Sequence, residues 1–429
     1  MERTRASSLN TYPLMIILKY PFSKTWLTFL LASIPVIAGS VWATVRTTNL
    51  MSNVTLAEWA ILTVSLTVVG CISQLGMKPG YMQEVTDIGK SKRIPALITA
   101  TLFLSLTGLI SGGVLVFIFF ILYKLSLWEN IVAVCILPLH CILTNAVMMF
   151  HTDLRILGKA SLLAWLSIIQ IPIFIFSLEI CLSYKFDPLA SFFFSGCCAN
   201  ILLLIFLIYK TKISNLHYLN INFLKRATYM GLPVMGGLLS KYSCDMVVVA
   251  TFRWALDNQV AGAFGIATRL CEPLMAVYIG SFQMAWGAHV YQWIKESPTG
   301  YLVNIYSNRS WLLVLFGLPI GLLIAISIWS ISFSDKSFDS VFLFVLMLIS
   351  RIISFGISSS MGFGQTMQRS YKQGLKINVN ELLLTLILVP VSAVYFGVST
   401  AMVLCGVLPW VSVFRIRNYS KKVLLRNSL

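Results

Sequence analysis

Twelve apolar stretches run along the chain, each 17 residues or longer and divided by short polar ones. They lie near 25–45, 57–77, 95–123, 131–152, 160–183, 188–209, 229–251, 260–285, 310–332, 340–364, 377–396 and 398–414. None alternates apolar with polar positions, so the pattern predicts helices rather than strands. A barrel strand would be about ten residues long and lined on one face by polar groups. The first stretch is too long for a cleaved leader and is predicted to stay as the first helix, with a short interfacial element over 12–21 ahead of it. No intervening loop exceeds about 25 residues, so no extramembrane domain is expected.

Composition agrees. Hydrophobic residues are 58% of 429, close to twelve spans of about 20 residues each. Charged residues are 11%, against about 25% for soluble domains. These values exclude the secreted, cytosolic and DNA-binding classes. The net charge of +17 is explained by placement. With the N-terminus in the cytoplasm, 24 of the 32 Lys and Arg residues fall in cytoplasmic segments, five on the opposite side and three within spans. Such a bias is the positive-inside signal of a multi-pass inner-membrane protein with both termini cytoplasmic. It implies contact with membrane lipids and no nucleic-acid partner. The nine cysteines all fall within spans, without metal or disulfide spacing.

The halves resemble each other. SIPVIAG (33–39) recurs as GLPVMGG (231–237), and EWAILTV (58–64) has a counterpart in AFGIATR (263–269). Six spans per half make the repeats parallel. The expected fold is an all-α polytopic membrane protein, with twelve transmembrane helices in two parallel six-helix lobes around a central cavity. The expected division is an N-terminal segment 1–24, a first lobe 25–209, a linker 210–228, a second lobe 229–414 and a basic tail 415–429.

Catalytic signatures are missing. The Gly89-Lys90 and Gly158-Lys159 pairs have Glu84 and Asp153 where a phosphate loop needs its first glycine. There is no G-x-S-x-G and no H-E-x-x-H, and the four histidines are scattered. No enzyme, cofactor or metal is expected.

Seven charged residues lie inside spans away from their first residues: Glu179, Lys241, Asp245, Arg269, Glu272, Arg351 and Glu381. Each costs about 2.5–3.5 kcal/mol at a lipid-facing helix centre, so all must face an interior. Lys241 with Asp245 (i, i+4) and Arg269 with Glu272 (i, i+3) share helix faces and are expected to pair. Arg351 has no acid on its own helix, so its counter-charge is expected either from cargo, which it would bind with Lys241 and Arg269, or from Asp245 or Glu272 across the second lobe. Asp245, Glu272, Glu381 and Glu179 are the candidates for gating or ion coupling. His140, Asn145 and Gln170 are the polar groups expected to face the lumen in the first half.

The stretch MGLPVMGGLLSKYSCDMVVVATF, followed by DNQVAGAFGIATRLCEPLMAVYIGSFQMAWGAHVYQ, resembles helices seven and eight of the O-antigen flippases. That family belongs to the MOP exporter superfamily, which also holds the multidrug MATE exporters. Its Gly-x-Pro opening, late Asp and Val-x-Gly-x-aromatic-x-Ile-Ala start match Gly231, Pro233, Asp245, Val260, Gly262, Phe264, Ile266 and Ala267. The family's Asp is often followed by a basic residue, where this chain has Met246. The resemblance implies flipping of a polyprenyl-diphosphate-linked oligosaccharide across a bacterial inner membrane. It also implies a role in polysaccharide (lipopolysaccharide) biosynthesis beside a polymerase and a chain-length regulator. Two other readings compete: a MATE-like antiporter, which would want excess carboxylate, and a membrane-embedded polymerase, which would want a long outer loop.

Overall fold

The computed structural model describes residues 21–51, 53–88, 93–123, 131–157, 159–211, 220–255, 258–274, 299–308, 339–368 and 371–428, with scattered positions between 282 and 297. The described elements are helical, with no strand among them. In the first half they are α1 (Pro21–Thr48), α2 (Asn53–Gln74), α3 (Met77–Ile88), α4 (Arg93–Tyr123), α5 (Ile131–Ile156), α6 (Ala160–Ser183) and α7 (Pro188–Thr211). The second half holds α8 (Ile221–Ala255), α9 (Asn258–Leu274), α10 (Asp339–Met361), α11 (Phe363–Met367), α12 (Lys372–Phe396) and α13 (Val398–Ser428). Eight are long and apolar enough to cross a membrane.

Ten of the twelve predicted spans coincide with helices, and the eighth does so from its start to Leu274, the last residue described there before Phe282. The ninth, 310–332, and the element at 12–21 lie outside the described residues. Three boundaries differ. The predicted loop 78–93 is largely α3, whose Pro79 sits in the first turn, where a missing N–H costs nothing. Part of the predicted linker 210–228 is the start of α8, and the tail 415–429 continues α13 as helix to Ser428. Both extensions lie beyond the apolar stretch, so hydropathy alone could not mark them. Seven of the nine cysteines are buried, Cys198 is half-buried and Cys135 exposed, all as free thiols.

The packing repeats itself. First packs on fifth span in each half (α1 on α6, α8 on α12), fourth on sixth (α5 on α7, α10 on α13) and fifth on sixth (α6 on α7, α12 on α13). Across the halves, α2 lies on α8 as α9 lies on α1, and α2 meets α9 directly. The repeated sequence motif is placed accordingly. A Cβ at Gly39 would come 2.4 Å from Ile171 on α6, and one at Gly237 would come 2.9 Å from Asn378 on α12. Each glycine thus lets its helix approach the fifth span of its own half closely.

Close contacts bring the α2–α3 junction, the start of α8, the start of α12 and the end of α13, all bearing Lys or Arg, to one end of the bundle, the basic end. Reporter fusions should read 185–188 and 333–339 as periplasmic and 212–222 as cytoplasmic; a periplasmic signal from 212–222 would overturn the span count.

Candidate functional site

Four charged side chains converge between α8, α10 and α12. Counted from the opposite end of the bundle at about 1.5 Å per residue, Asp245 lies about 15 Å deep, Arg351 about 18 Å, Lys241 about 21 Å and Glu381 about 22 Å. Asp245 and Arg351 therefore sit near the middle of a hydrocarbon layer about 30 Å thick, with Lys241 and Glu381 about 6–7 Å beyond the middle toward the basic end. The helix spacing that places Lys241 and Asp245 one turn apart also places Arg351, Phe355 and Ser358 along one face of α10.

Of the two partners open to Asp245, the structure holds Arg351 rather than Lys241. Asp245 accepts from the Arg351 guanidinium at 2.6 Å, a short charge-assisted contact across α8 and α10. Lys241 instead donates to Ser358 Oγ at 3.3 Å and stands 4.5 Å over the Phe355 ring. Same-face spacing brings Lys241 and Asp245 near each other, but a long planar guanidinium from the facing helix offers the carboxylate the better geometry. Lys241 still feels the charges of Glu381, Asp245 and Arg351. Glu381 is buried, and its Oε2 has no hydrogen-bond partner. Thr385 Oγ1 bonds only the Glu381 carbonyl, at 2.9 Å. The described cluster thus holds two cations and two acids.

The other candidates lie elsewhere. Arg269 and Glu272 are on α9, with side chains outside the described residues. Glu179 pairs with Arg46 at 3.0 Å, tying α6 to α1, and both are exposed. Asn145 is buried, donating to Ser73 Oγ and to the Leu104 carbonyl, both at 3.0 Å, which ties α5 to α2 and α4. Gln170 donates to Asn200 at 2.9 Å, and Asn200 to Thr144 at 3.3 Å. His140 meets the Phe193 ring edge-on at 5.4 Å. These contacts hold the first lobe together; none of them joins the second-lobe cluster. No group of three or more metal-type ligands occurs among the described residues.

A feature at the basic end was not legible in sequence. α2 gives way to α3 through Leu75 and Gly76, both with positive φ (43° and 67°), and this bend lays α3 on the start of α8. Backbones touch there: a Cβ at Gly76 would sit 2.2 Å from the Gly231 carbonyl, and one at Gly80 1.9 Å from the Ala227 oxygen. Tyr81 and Phe223 pack edge-on at 6.0 Å, and Arg226 meets Glu84 at 3.0 Å. Beneath it, Tyr81 and Arg93 both bind Asp153, at 2.8 and 3.1 Å. The nearby Arg155 guanidinium, with burial, holds the Lys78 amine down to about 7. The two halves are therefore packed tightly on each other at this point of the basic end, and this contact is the seal. The Arg226 side chain is largely exposed, so its ion pair adds at most about 1 kcal/mol. The seal rests on backbone and ring contacts.

Neither a family model nor a curated protein matches the sequence. Solved structures do match the fold. A mutant Vibrio cholerae MATE transporter aligns with a TM-score of 0.68 at 11% identity, over 94% of this chain and 96% of that one. A Pyrococcus furiosus MOP superfamily transporter, described as having a binding pocket of reversed polarity that suggests a different function, aligns at 0.69 and 13%, over 94% and 97%. A multidrug resistance MATE transporter in its outward-facing conformation aligns at 0.64 and 14%, over 96% and 98%. The inward-facing form of such a transporter aligns at 0.55 and 12%, over 94% and 99%. The chain has the two-lobe fold of MATE transporters of the MOP superfamily.

Proposed function

We propose that this protein is an alternating-access transporter of the cytoplasmic membrane, with both termini inside, and that its cargo is a lipid-linked oligosaccharide. The observation that carries the transporter reading is the seal at the basic end, built from the start of α8 and the α2–α3 bend, beneath a charge cluster near mid-depth. Such a seal blocks one side of a path while the other can open.

The cargo reading rests on chemistry. Sugar hydroxyls are costly to strand in hydrocarbon and need a sheltered path between lobes. Arg351 and Lys241 near mid-depth suit a diphosphate or an acidic sugar, provided Arg351 leaves Asp245 as the cargo arrives. The helix-seven and helix-eight motifs around Gly231 and Val260 support the same cargo. A second reading, MATE-like ion-coupled export of small molecules, is favoured by the charge balance of the cluster, where Asp245 and Glu381 offer two carboxylates for a proton or cation. It is favoured too by the MATE neighbours in fold.

Expression in cells that make lipid-linked oligosaccharide but lack their own flippase separates the readings. Restored surface glycan is expected. Efflux of organic cations without restored glycan would instead establish the second reading.

A further inference from the structure

Away from the charge cluster, a cavity of about 320 Å³ opens between the start of α12 and the end of α13, at the basic end. Lys376, Arg415 and Lys422 line it, with the amides of Gln373, Asn380 and Asn418 between them. The three cations are exposed, and among the described residues none meets a carboxylate at ion-pair distance. The sequence explains why. Glu381 is the sole acidic residue after Asp339, and it is buried toward Lys241 and Arg351 rather than toward this cavity. Neither α12 nor α13 therefore offers the cavity a counter-charge of its own.

Depth identifies what is available there. Counted from Phe396, Lys376 lies about 30 Å along α12; counted from Val398, Arg415 lies about 26 Å and Lys422 about 36 Å along α13. The cations therefore bracket the edge of a hydrocarbon core about 30 Å thick, level with the phosphates of one leaflet. Toward the core from the cavity, both helices expose apolar side chains: Leu383 and Ile387 on α12, Val407, Val411 and Phe414 on α13. A soluble anion would use only the cations, whereas a phospholipid would use both the cations and the apolar flank.

We propose that this cavity is a binding site for the phosphate headgroup of an anionic phospholipid in the leaflet at the basic end. The guanidinium and ammonium groups hold the phosphate, the three amides donate to its ester and glycerol oxygens, and the acyl chains run along α12 and α13. A headgroup held here bridges the fifth and sixth spans of the second lobe. The site is independent of the cargo and of the seal.

The test uses purified full-length protein in nanodiscs, with lipid retention read by native mass spectrometry and stability by thermal melting. Phosphatidylglycerol or cardiolipin is expected to be retained, and to raise the melting temperature, relative to phosphatidylcholine. The triple variant Lys376→Gln, Arg415→Gln, Lys422→Gln is expected to lose at least about tenfold in relative retention, while melting like the parent in phosphatidylcholine. A control variant, Lys372→Gln, Lys421→Gln, Arg426→Gln, removes the same charge outside the cavity and should keep the preference. Should the triple variant fold poorly, Asn418→Asp places a negative charge in the cavity without removing a cation and is expected to weaken retention in the same way. Equal loss in the control would reduce the effect to diffuse basicity and overturn the proposal. So would undiminished retention in the cavity variants, or inorganic phosphate alone reproducing the stabilisation in phosphatidylcholine.

Discussion

Arg351→Ala is expected to abolish transport and to lower the amount of folded protein in the membrane, and adding Asp245→Ala is expected to restore abundance but not transport. The reason lies in the 2.6 Å contact across α8 and α10. Truncating one partner of a buried ion pair leaves the other charge uncompensated, typically at about 3–5 kcal/mol. The Arg351 side chain is 13% exposed and that of Asp245 32%, so the lower end of that range, about 3 kcal/mol, is the fitting figure. Removing both charges ends the penalty, since neutral replacements of a buried pair are often tolerated. Arg351→Lys keeps the charge but loses the planar fork, so it should retain abundance better than activity. The same cycle on Lys241 and Asp245 should show weaker coupling, because Lys241 is held by Ser358 and the Phe355 ring. Abundance by quantitative blotting of membranes and transport in the same cells check both statements. A double variant as poorly folded as the sum of its singles would mean the pair is not energetically coupled.

What the sequence revealed, and what it hid, follows from the range of the forces involved. Span number is set residue by residue by transfer from water to hydrocarbon, so a single sequence displays it; the same rule marks Lys241, Asp245, Arg351 and Glu381 for the interior, whereas Glu179, near the end of α6, meets Arg46 in the open. The kinship of Pro35-Val36 with Pro233-Val234 was legible for the same reason, and the repeated packing of α1 on α6 and α8 on α12 agrees with it. Partner choice is different. The one-turn spacing of Lys241 and Asp245 tells which face they share but not that Arg351 stands opposite them. For the polar residues His140, Asn145 and Gln170 depth was visible and partners were not; in the structure Asn145 and Gln170 make helix–helix contacts. α3 was hidden because MKPGYMQEVTDI is neither long nor apolar, and its helix is held by packing against α4, α5 and α8. The extensions of α8 and α13 outside the apolar stretches were hidden for the same reason.

The seal at the basic end gives the last expected result. A side chain at Gly80 should jam it, because the obstacle is the Ala227 backbone oxygen, 1.9 Å from where the new Cβ would lie. A flexible side chain could move aside, but a helical carbonyl cannot without shifting α8 as a whole. Gly76 adds a second constraint, since its φ of 67° lies in the left-handed region, where an L side chain costs about 1–2 kcal/mol. Gly80→Leu is therefore expected to hold the lobes apart at this end and to stop transport while leaving the protein in the membrane. Cys71 reports the opening. It is buried on α2, little more than a turn from Gly76, with its thiol 3.7 Å from the Met235 carbonyl of α8. With the other eight cysteines replaced, an impermeant maleimide applied from the basic side should label Cys71 at least about tenfold faster in Gly80→Leu, equivalent to about 1.4 kcal/mol in the opening equilibrium. Gly70→Ala is the control on the same helix, for a Cβ there meets nothing within 4 Å and should leave labelling and transport unchanged. Normal transport with Cys71 still protected in Gly80→Leu would mean that this contact does not gate the path. The exposed Glu84–Arg226 pair predicts the contrast in magnitude: its removal should change labelling by only a few-fold, since an ion pair open to water on one side contributes about 1 kcal/mol or less.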